Sequence, residues 1–258
     1  MHHAYLDLHA QGHSAVHRLD ARAKILAAVG YTAVVISFGR YELAALAPLV
    51  IGPVAMLKAA GIPISFALKR VVILSPFILM LCLLSPLYDR LPQAVAMGPA
   101  QWTLSGGWLT AMNIIGKFCL GILALTALMS TTPFSLLLEG LRRLGLPSLL
   151  VTQLGFLYRY IFVLIDESMR IRRARDFRGV AHATAGRRLA AVGGIIGSLF
   201  VRTMDRSERI HAAMCARGYD GQPRSLDRLR FRTAEILFLV MTAFYLVACR
   251  WLLPRILG

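Results

Sequence analysis

Two arginine–glycine pairs, Arg178-Gly179 and Arg217-Gly218, carry the residue types best suited to recognition chemistry, and they close two copies of one charged pattern. DESMRIRRARDFRGV begins at Asp166 and DRSERIHAAMCARGY begins at Asp205. Laid over each other, the copies match at Asp166/Asp205, Ser168/Ser207, Arg170/Arg209, Ile171/Ile210, Ala174/Ala213, Arg178/Arg217 and Gly179/Gly218. A guanidinium is a planar fork of donors that grips a carboxylate bidentately, which an ammonium cannot do. A glycine directly after it suits the C′ position of a helix, where the backbone turns left-handed. Each arginine then falls in a last helical turn, where a cation complements the helix dipole. Ala174 and Ala213 lie one turn back on the same face and leave room for another surface. A single copy reads as ordinary C-capping of a solvated helix. Two copies at a fixed spacing favour docking to a partner with two equivalent sites.

The other chemistries are thinly equipped. Of 13 acidic residues, none falls in the middle of an expected membrane span, although Glu42 and Glu235 stand at edges. Ion-coupled carriers place carboxylates at that depth. No GxxxxGK[ST] loop, H-E-x-x-H or G-x-S-x-G motif is present, so neither nucleotide binding nor catalysis by those devices is expected, and no cofactor. Cys82, Cys119, Cys215 and Cys249 are far apart, which argues against a disulfide framework or a zinc site and for buried or inert thiols. His2, His3, His9, His13 and His17 crowd the N-terminus, but their spacing matches no standard metal site. Lys117, inside an apolar run, is the one intramembrane cation that invites a functional reading. Snorkelling or a buried hydrogen bond accounts for it equally well.

The elements that hold these residues are membrane helices. The 258 residues are 57% hydrophobic with a mean hydropathy of +0.62, too apolar for an ordinary soluble domain. Five spans are expected: Ile25–Phe38, Leu43–Leu57, Val71–Leu87 with a kink at Pro76, Trp108–Met129 and Ala234–Leu253. Asp89–Gly107 reads as a loop on the opposite side of the membrane from the basic residues, with Trp102 and Trp108 at an interface. No cleaved signal peptide is expected. Thr132 is placed as N-cap and Pro133 at N1 of a short leucine-rich surface helix. Ser148–Ile165 reads as the start of one long helix leading into Asp166, although a sixth span stays open, since Arg250 and Arg255 sit awkwardly in a five-span layout. Gly186–Arg202 leads without a break into the second copy, and Gly193, Gly194 and Gly197 permit close helix crossing.

Charge gives the orientation. Between Arg142 and Arg232 there are 18 Arg, no Lys and 7 acidic residues, so this segment holds +11 of the net +16. Such an excess marks the cytoplasmic side and attracts anionic membrane lipid. No nucleic-acid module accompanies it, so no nucleic-acid partner is expected. The expected fold class is therefore all-α, a polytopic membrane protein with about five transmembrane helices and long cytoplasmic helices, which the family resemblance given below implies are coupling helices. Its parts are 1–130 (an N-terminal cytoplasmic segment and four spans), 131–232 (the domain of long cytoplasmic helices) and 233–258 (the last span).

At this point the sequence resembles the transmembrane T component of energy-coupling factor transporters, a group of ABC-type importers, and most of all its cobalt-type CbiQ branch. The resemblance rests on Leu19-Asp20-Ala21-Arg22-Ala23-Lys24, similar to the family's L-D-P-R-x-K but with Ala21 for proline. It rests also on Thr131-Thr132-Pro133, on Leu144-Gly145-Leu146-Pro147 and on the two Arg-Gly motifs. The first motif departs from the family's Ala-Arg-Gly, reading Ala174-Arg175-Asp176-Phe177-Arg178-Gly179; the second reads Ala216-Arg217-Gly218. Arg175 therefore competes with Arg178 for the first tip, and the internal alignment favours Arg178. The resemblance implies a non-catalytic subunit of the inner membrane. Its helix tips, at Ala174, Arg175, Arg178, Gly179, Ala213, Ala216, Arg217 and Gly218, would dock two ATP-binding cassette ATPase subunits. Its helical bodies would hold a substrate-binding membrane subunit, with cobalt preferred as the transported ion over nickel or a vitamin. A self-sufficient carrier or channel and a membrane-bound enzyme are the rival readings.

Overall fold

The computed structural model describes residues 12, 14–40, 42–88, 92–97, 100–177, 185–221 and 232–251. The chain divides into two compact units, Met1–Leu141 with Asp227–Gly258, and Arg142–Leu226.

In the first unit a one-turn helix α1 (Ala15–Arg18) leads to Asp20, the N-cap of α2 (Ala21–Ser37). The Asp20 carboxylate accepts the Arg22 N–H at 2.9 Å, so an acidic side chain stands where the helix has unpaired amides. The expected second span is a broken helical segment. Two 3₁₀ turns, Ala44–Leu46 and Pro48–Val50, precede α3 (Ile51–Ala59). Pro48 and Pro53 lack the amide that a continuous helix requires. Loose carbonyls at membrane depth need other donors. Tyr31 Oη donates to Leu49 O at 2.8 Å and Tyr245 Oη to Pro48 O at 2.7 Å, while the Gly52 N–H reaches back to Tyr245 Oη at 3.3 Å.

Helix α4 (Ile64–Tyr88) passes through Pro76 without ending. The amide missing at Pro76 would have bonded Val72 O, and Ser75 Oγ takes its place at 2.8 Å. Beyond α4 the expected loop contains an antiparallel hairpin, β1 (Pro92–Met97) with β2 (Ala100–Ser105), in register from Pro92 opposite Ser105 to Met97 opposite Ala100. The Gly98-Pro99 dipeptide between the strands is a turn signal that the composition of the loop obscured.

Helix α5 (Gly106–Thr131) is the centre of this unit. Its Leu120 and Ala124 pack with Tyr31, Val35, Phe38, Leu46, Leu49 and Leu246; its Leu123 and Ala127 pack with Leu57, Ile62 and Ala67; its Leu128 packs with Ile25 and Leu137. Inside a bilayer such contacts gain by close packing rather than by escape from water, which explains the many small residues at the crossings. Helix α6 (Phe134–Arg143) is amphipathic and buries Leu137, Leu138, Glu139 and Gly140. A Cβ on Gly140 would stand 3.2 Å from Ala21 Cβ and 3.1 Å from Ile25 Cδ1, so glycine is what lets α6 lie on the first turn of α2. The N-cap bond expected from Thr132 is not made. Its Oγ1 is buried with no hydrogen-bond partner among the described residues, while Pro133 O accepts the Leu137 N–H at 3.0 Å and so already belongs to the helix.

The second unit holds two long helices, α7 (Ser148–Asp176) and α8 (Ala185–Ala216). At 1.5 Å per residue they are about 43 and 48 Å long. Each is continuous, as expected, and each ends on one copy of the repeat. Cβ atoms built on Gly193, Gly194 and Gly197 meet nothing within 4 Å, so the close crossing they permit is not made by described residues of this chain. Helix α9 (Thr233–Trp251) returns to the first unit.

Among the described residues, α5, α7 and α9 are long and apolar enough to cross a membrane. The apolar content of α7 lies in its first half, so the helix that was expected to pass from the interface into solution also has the length of a span. The chain is an all-α polytopic membrane protein with one short hairpin.

Candidate functional site

Helix α8 stops in a defined way. Tyr219 donates its backbone N–H to Met214 O at 3.1 Å and Gly218 donates to Cys215 O at 3.0 Å, with Gly218 at φ +79°. This pair of bonds is the Schellman arrangement, in which Arg217 is the C-cap residue and Gly218 is C′. The left-handed backbone at Gly218 is the reason for a glycine there. Ala213, Ala216, Arg217 and Gly218 are all exposed, and nothing lies within 4 Å of a Cβ built on Gly218. The tip therefore offers a guanidinium on a blunt, open helix end.

The other tip is described only in part. Helix α7 ends at Asp176, with Phe177 as C-cap donating to Arg173 O at 3.1 Å, one residue earlier than the internal alignment implied. Arg178 and Gly179 lie outside the described residues. Ala174 is exposed, whereas Arg175 is half-buried and paired with Asp176 at 3.4 Å. The side chain of Phe177 is 91% exposed, which leaves a large apolar group at this end.

Behind the tips, Arg202 on α8 holds Glu167 on α7 at 2.6 Å, and Glu167 also faces Arg170 at 4.0 Å. A groove of about 520 Å³ runs between the two helices, lined by Phe156, Tyr160 and Val163 on α7 and by Ile210 and Met214 on α8, with Tyr219 beyond the Schellman turn. Met214 and Tyr219, the two residues that a Schellman turn brings together, thus form one end of the groove wall.

The ionisable groups of the first unit are used structurally. Lys117 Nζ donates to Phe38 O, the C-cap carbonyl of α2, at 2.6 Å. Lys24 Nζ donates to Thr131 O, at the end of α5, at 2.9 Å, and to His17 O at 3.2 Å. Arg250 pairs with Glu42 at 3.7 Å and its guanidinium lies 4.9 Å from the centroid of the Phe38 ring, which removes the awkwardness of a charge near the end of α9. Glu235 accepts the Arg232 N–H at 2.7 Å, the returning half of a capping box. Each of these groups is committed to a helix end or to a neighbouring charge.

Among the described residues no cluster of three or more His, Cys, Asp or Glu side chains can hold a metal ion. Of the N-terminal histidines, His17 bonds Ser14 Oγ at 2.7 Å, while His2, His3, His9 and His13 lie outside the described residues. All four cysteines are free thiols. Cys82 and Cys249 are buried as expected, and Cys215 is exposed.

The chain is similar to known transporter proteins along most of its length. The chain is 30% identical to the energy-coupling factor transporter transmembrane protein EcfT of Lacticaseibacillus paracasei over 240 residues, 86% of each chain. It is 30% identical to the protein of the same name from Listeria innocua over 255 residues, 93% of this chain and 95% of the other. It is 33% identical to the cobalt transport protein CbiQ of Rhodobacter capsulatus over 115 residues, 45% of this chain and 47% of that relative. The family model described as CbiQ, cobalt transport protein, matches residues 12–227 and so includes both copies of the repeat. The chain belongs to the CbiQ family and is a transmembrane T component of the energy-coupling factor type.

Proposed function

We propose that this chain is the coupling scaffold of an ATP-driven importer in the cell membrane, with the ends of α7 and α8 in the cytoplasm. Arg217 on one tip, and Arg178 with Arg175 on the other, enter grooves on two ATPase subunits. There each guanidinium meets a carboxylate or a row of helix C-terminal carbonyls. Closure of the ATPases on nucleotide then displaces the two tips together, and α7 and α8 pass that displacement to a substrate-binding membrane subunit. The chain itself catalyses nothing; hydrolysis belongs to the ATPases and substrate recognition to the membrane subunit. Cobalt is the proposed cargo, on the strength of the family description and the name of the Rhodobacter relative.

The observation that carries this reading is the tip of α8. An arginine at the C-cap, a glycine at C′ with φ +79° and two bare alanines form an exposed end with no partner face within the described chain. The duplicated sequence carries the same residue types, Arg178 and Gly179, in the residues that follow α7, and two ATPase subunits are the partner with two equivalent sites. Alanine in place of Arg178 and Arg217 together, in the complex reconstituted with its ATPase and membrane subunits, tests it. ATP-dependent uptake is expected to be lost, and wild-type uptake would contradict the reading.

A further inference from the structure

Lys24 and Lys117 stand in a reciprocal relation that the docking function does not use. Lys24 sits at the start of α2 and donates to the last carbonyl of α5, while Lys117 sits within α5 and donates to the C-cap carbonyl of α2. Lys24 and Phe38 are fourteen residues apart along α2, and Lys117 and Thr131 are fourteen apart along α5. Both contacts therefore close one antiparallel helix pair at two levels about 21 Å apart. Each ammonium lies where its neighbour's helix dipole is negative. Each also supplies a proton to a carbonyl with no intrahelical partner, which lipid cannot replace.

We propose that these two lysines form a clasp that makes α2 and α5 one rigid body, and that Lys24 is a positioning residue for coupling. Lys24 is 1% exposed, a placement that lysine accepts only when its donors are satisfied. It stands one turn after Ala21 on α2, and Ala21 with Ile25 is where α6 is seated through Gly140. The first turns of α2 thus hold the end of α5 and the body of α6 at once. They set the corner formed by Thr131, Thr132 and Pro133. With this corner fixed, displacement of the long helices works against a firm support. Without it, part of the displacement is absorbed as α5 and α6 shift on α2. The transport consequence rests on the coupling function proposed above; the clasp itself does not.

The test uses the assembled complex with its ATPase and substrate-binding subunits in proteoliposomes, comparing wild type with Lys24→Met and Lys24→Arg. Two quantities are read: backbone hydrogen exchange over residues 129–141, and substrate taken up per ATP hydrolysed. In wild type the corner is expected to exchange as slowly as the interior of α5. Lys24→Met should speed exchange there by about tenfold. It should lower uptake per ATP by about fivefold while hydrolysis itself persists, and Lys24→Arg, which keeps the cation, should restore part of both. A merely structural role would lower hydrolysis and uptake in step and leave their ratio unchanged, which overturns the positioning role. Unchanged exchange in Lys24→Met, or a wild-type corner that exchanges as fast as a loop, overturns the clasp. The wild-type complex also tests the coupling function separately: uptake that continues without ATP hydrolysis refutes coupling, and the exchange measurement still decides the clasp.

Discussion

Tyr219 donates its amide to Met214 O across the end of α8, and this 3.1 Å bond fixes the direction in which Arg217 leaves the helix. The bond forms only if Gly218, between them, takes a positive φ. Gly218→Ala forces a Cβ into that conformation and is expected to cost about 1 kcal/mol of tip order. Asparagine, which tolerates the left-handed region better, should cost less. The measurement is the affinity of the purified protein for its ATPase subunits, with alanine weakening it by about fivefold.

Lys117→Met tests whether the intramembrane cation conducts or merely caps. The substitution leaves Phe38 O buried without its donor, which costs about 1–3 kcal/mol. The thermal unfolding midpoint should fall by about 2–4 °C for each kcal/mol lost. Uptake should fall only as far as the amount of folded complex does. A loss of uptake in fully folded protein would show that Lys117 does more than cap α2.

Tyr31→Phe and Tyr245→Phe remove the hydroxyls that satisfy Leu49 O and Pro48 O. Each is expected to destabilise the protein by about 1–3 kcal/mol, since an unpaired carbonyl is left in an apolar surrounding. The double variant should lose less than the sum, because both hydroxyls serve one 3₁₀ segment and its collapse is shared. Unfolding of the single and double variants in detergent gives the comparison.

The features legible in the sequence were those set by local rules. The repeat placed its two copies at helix ends, and Gly218 at C′ follows from the pairing of a helix terminus with a residue free to adopt positive φ. The continuity of α7 and α8 was legible because no proline interrupts Ser148–Asp176 or Ala185–Ala216, although α8 carries the Gly193-Gly194 pair. What stayed hidden depends on partners remote in the chain. The bond from Lys24 to Thr131 spans 107 residues, and no spacing rule announces it, although equal intervals of fourteen link each lysine to the helix end its partner caps. The second span was expected to be unbroken although Pro48 and Pro53 lie within it, and the carbonyls its break exposes are met by tyrosines from α2 and α9. Thr132 has the residue type of an N-cap, yet its hydroxyl is buried without such a bond, and α6 begins at Phe134, one residue later than the sequence implied.

The most direct measurement is ATP-dependent uptake by the reconstituted complex carrying Arg178→Ala and Arg217→Ala together, alongside the amount of ATPase that co-purifies. Loss of a charge-assisted contact at each tip, about 1.5–3 kcal/mol apiece, should cut ATPase retention by at least about tenfold and abolish uptake while the membrane helices remain folded. Full retention of the ATPases with wild-type uptake would show that the two arginines are no more than helix caps.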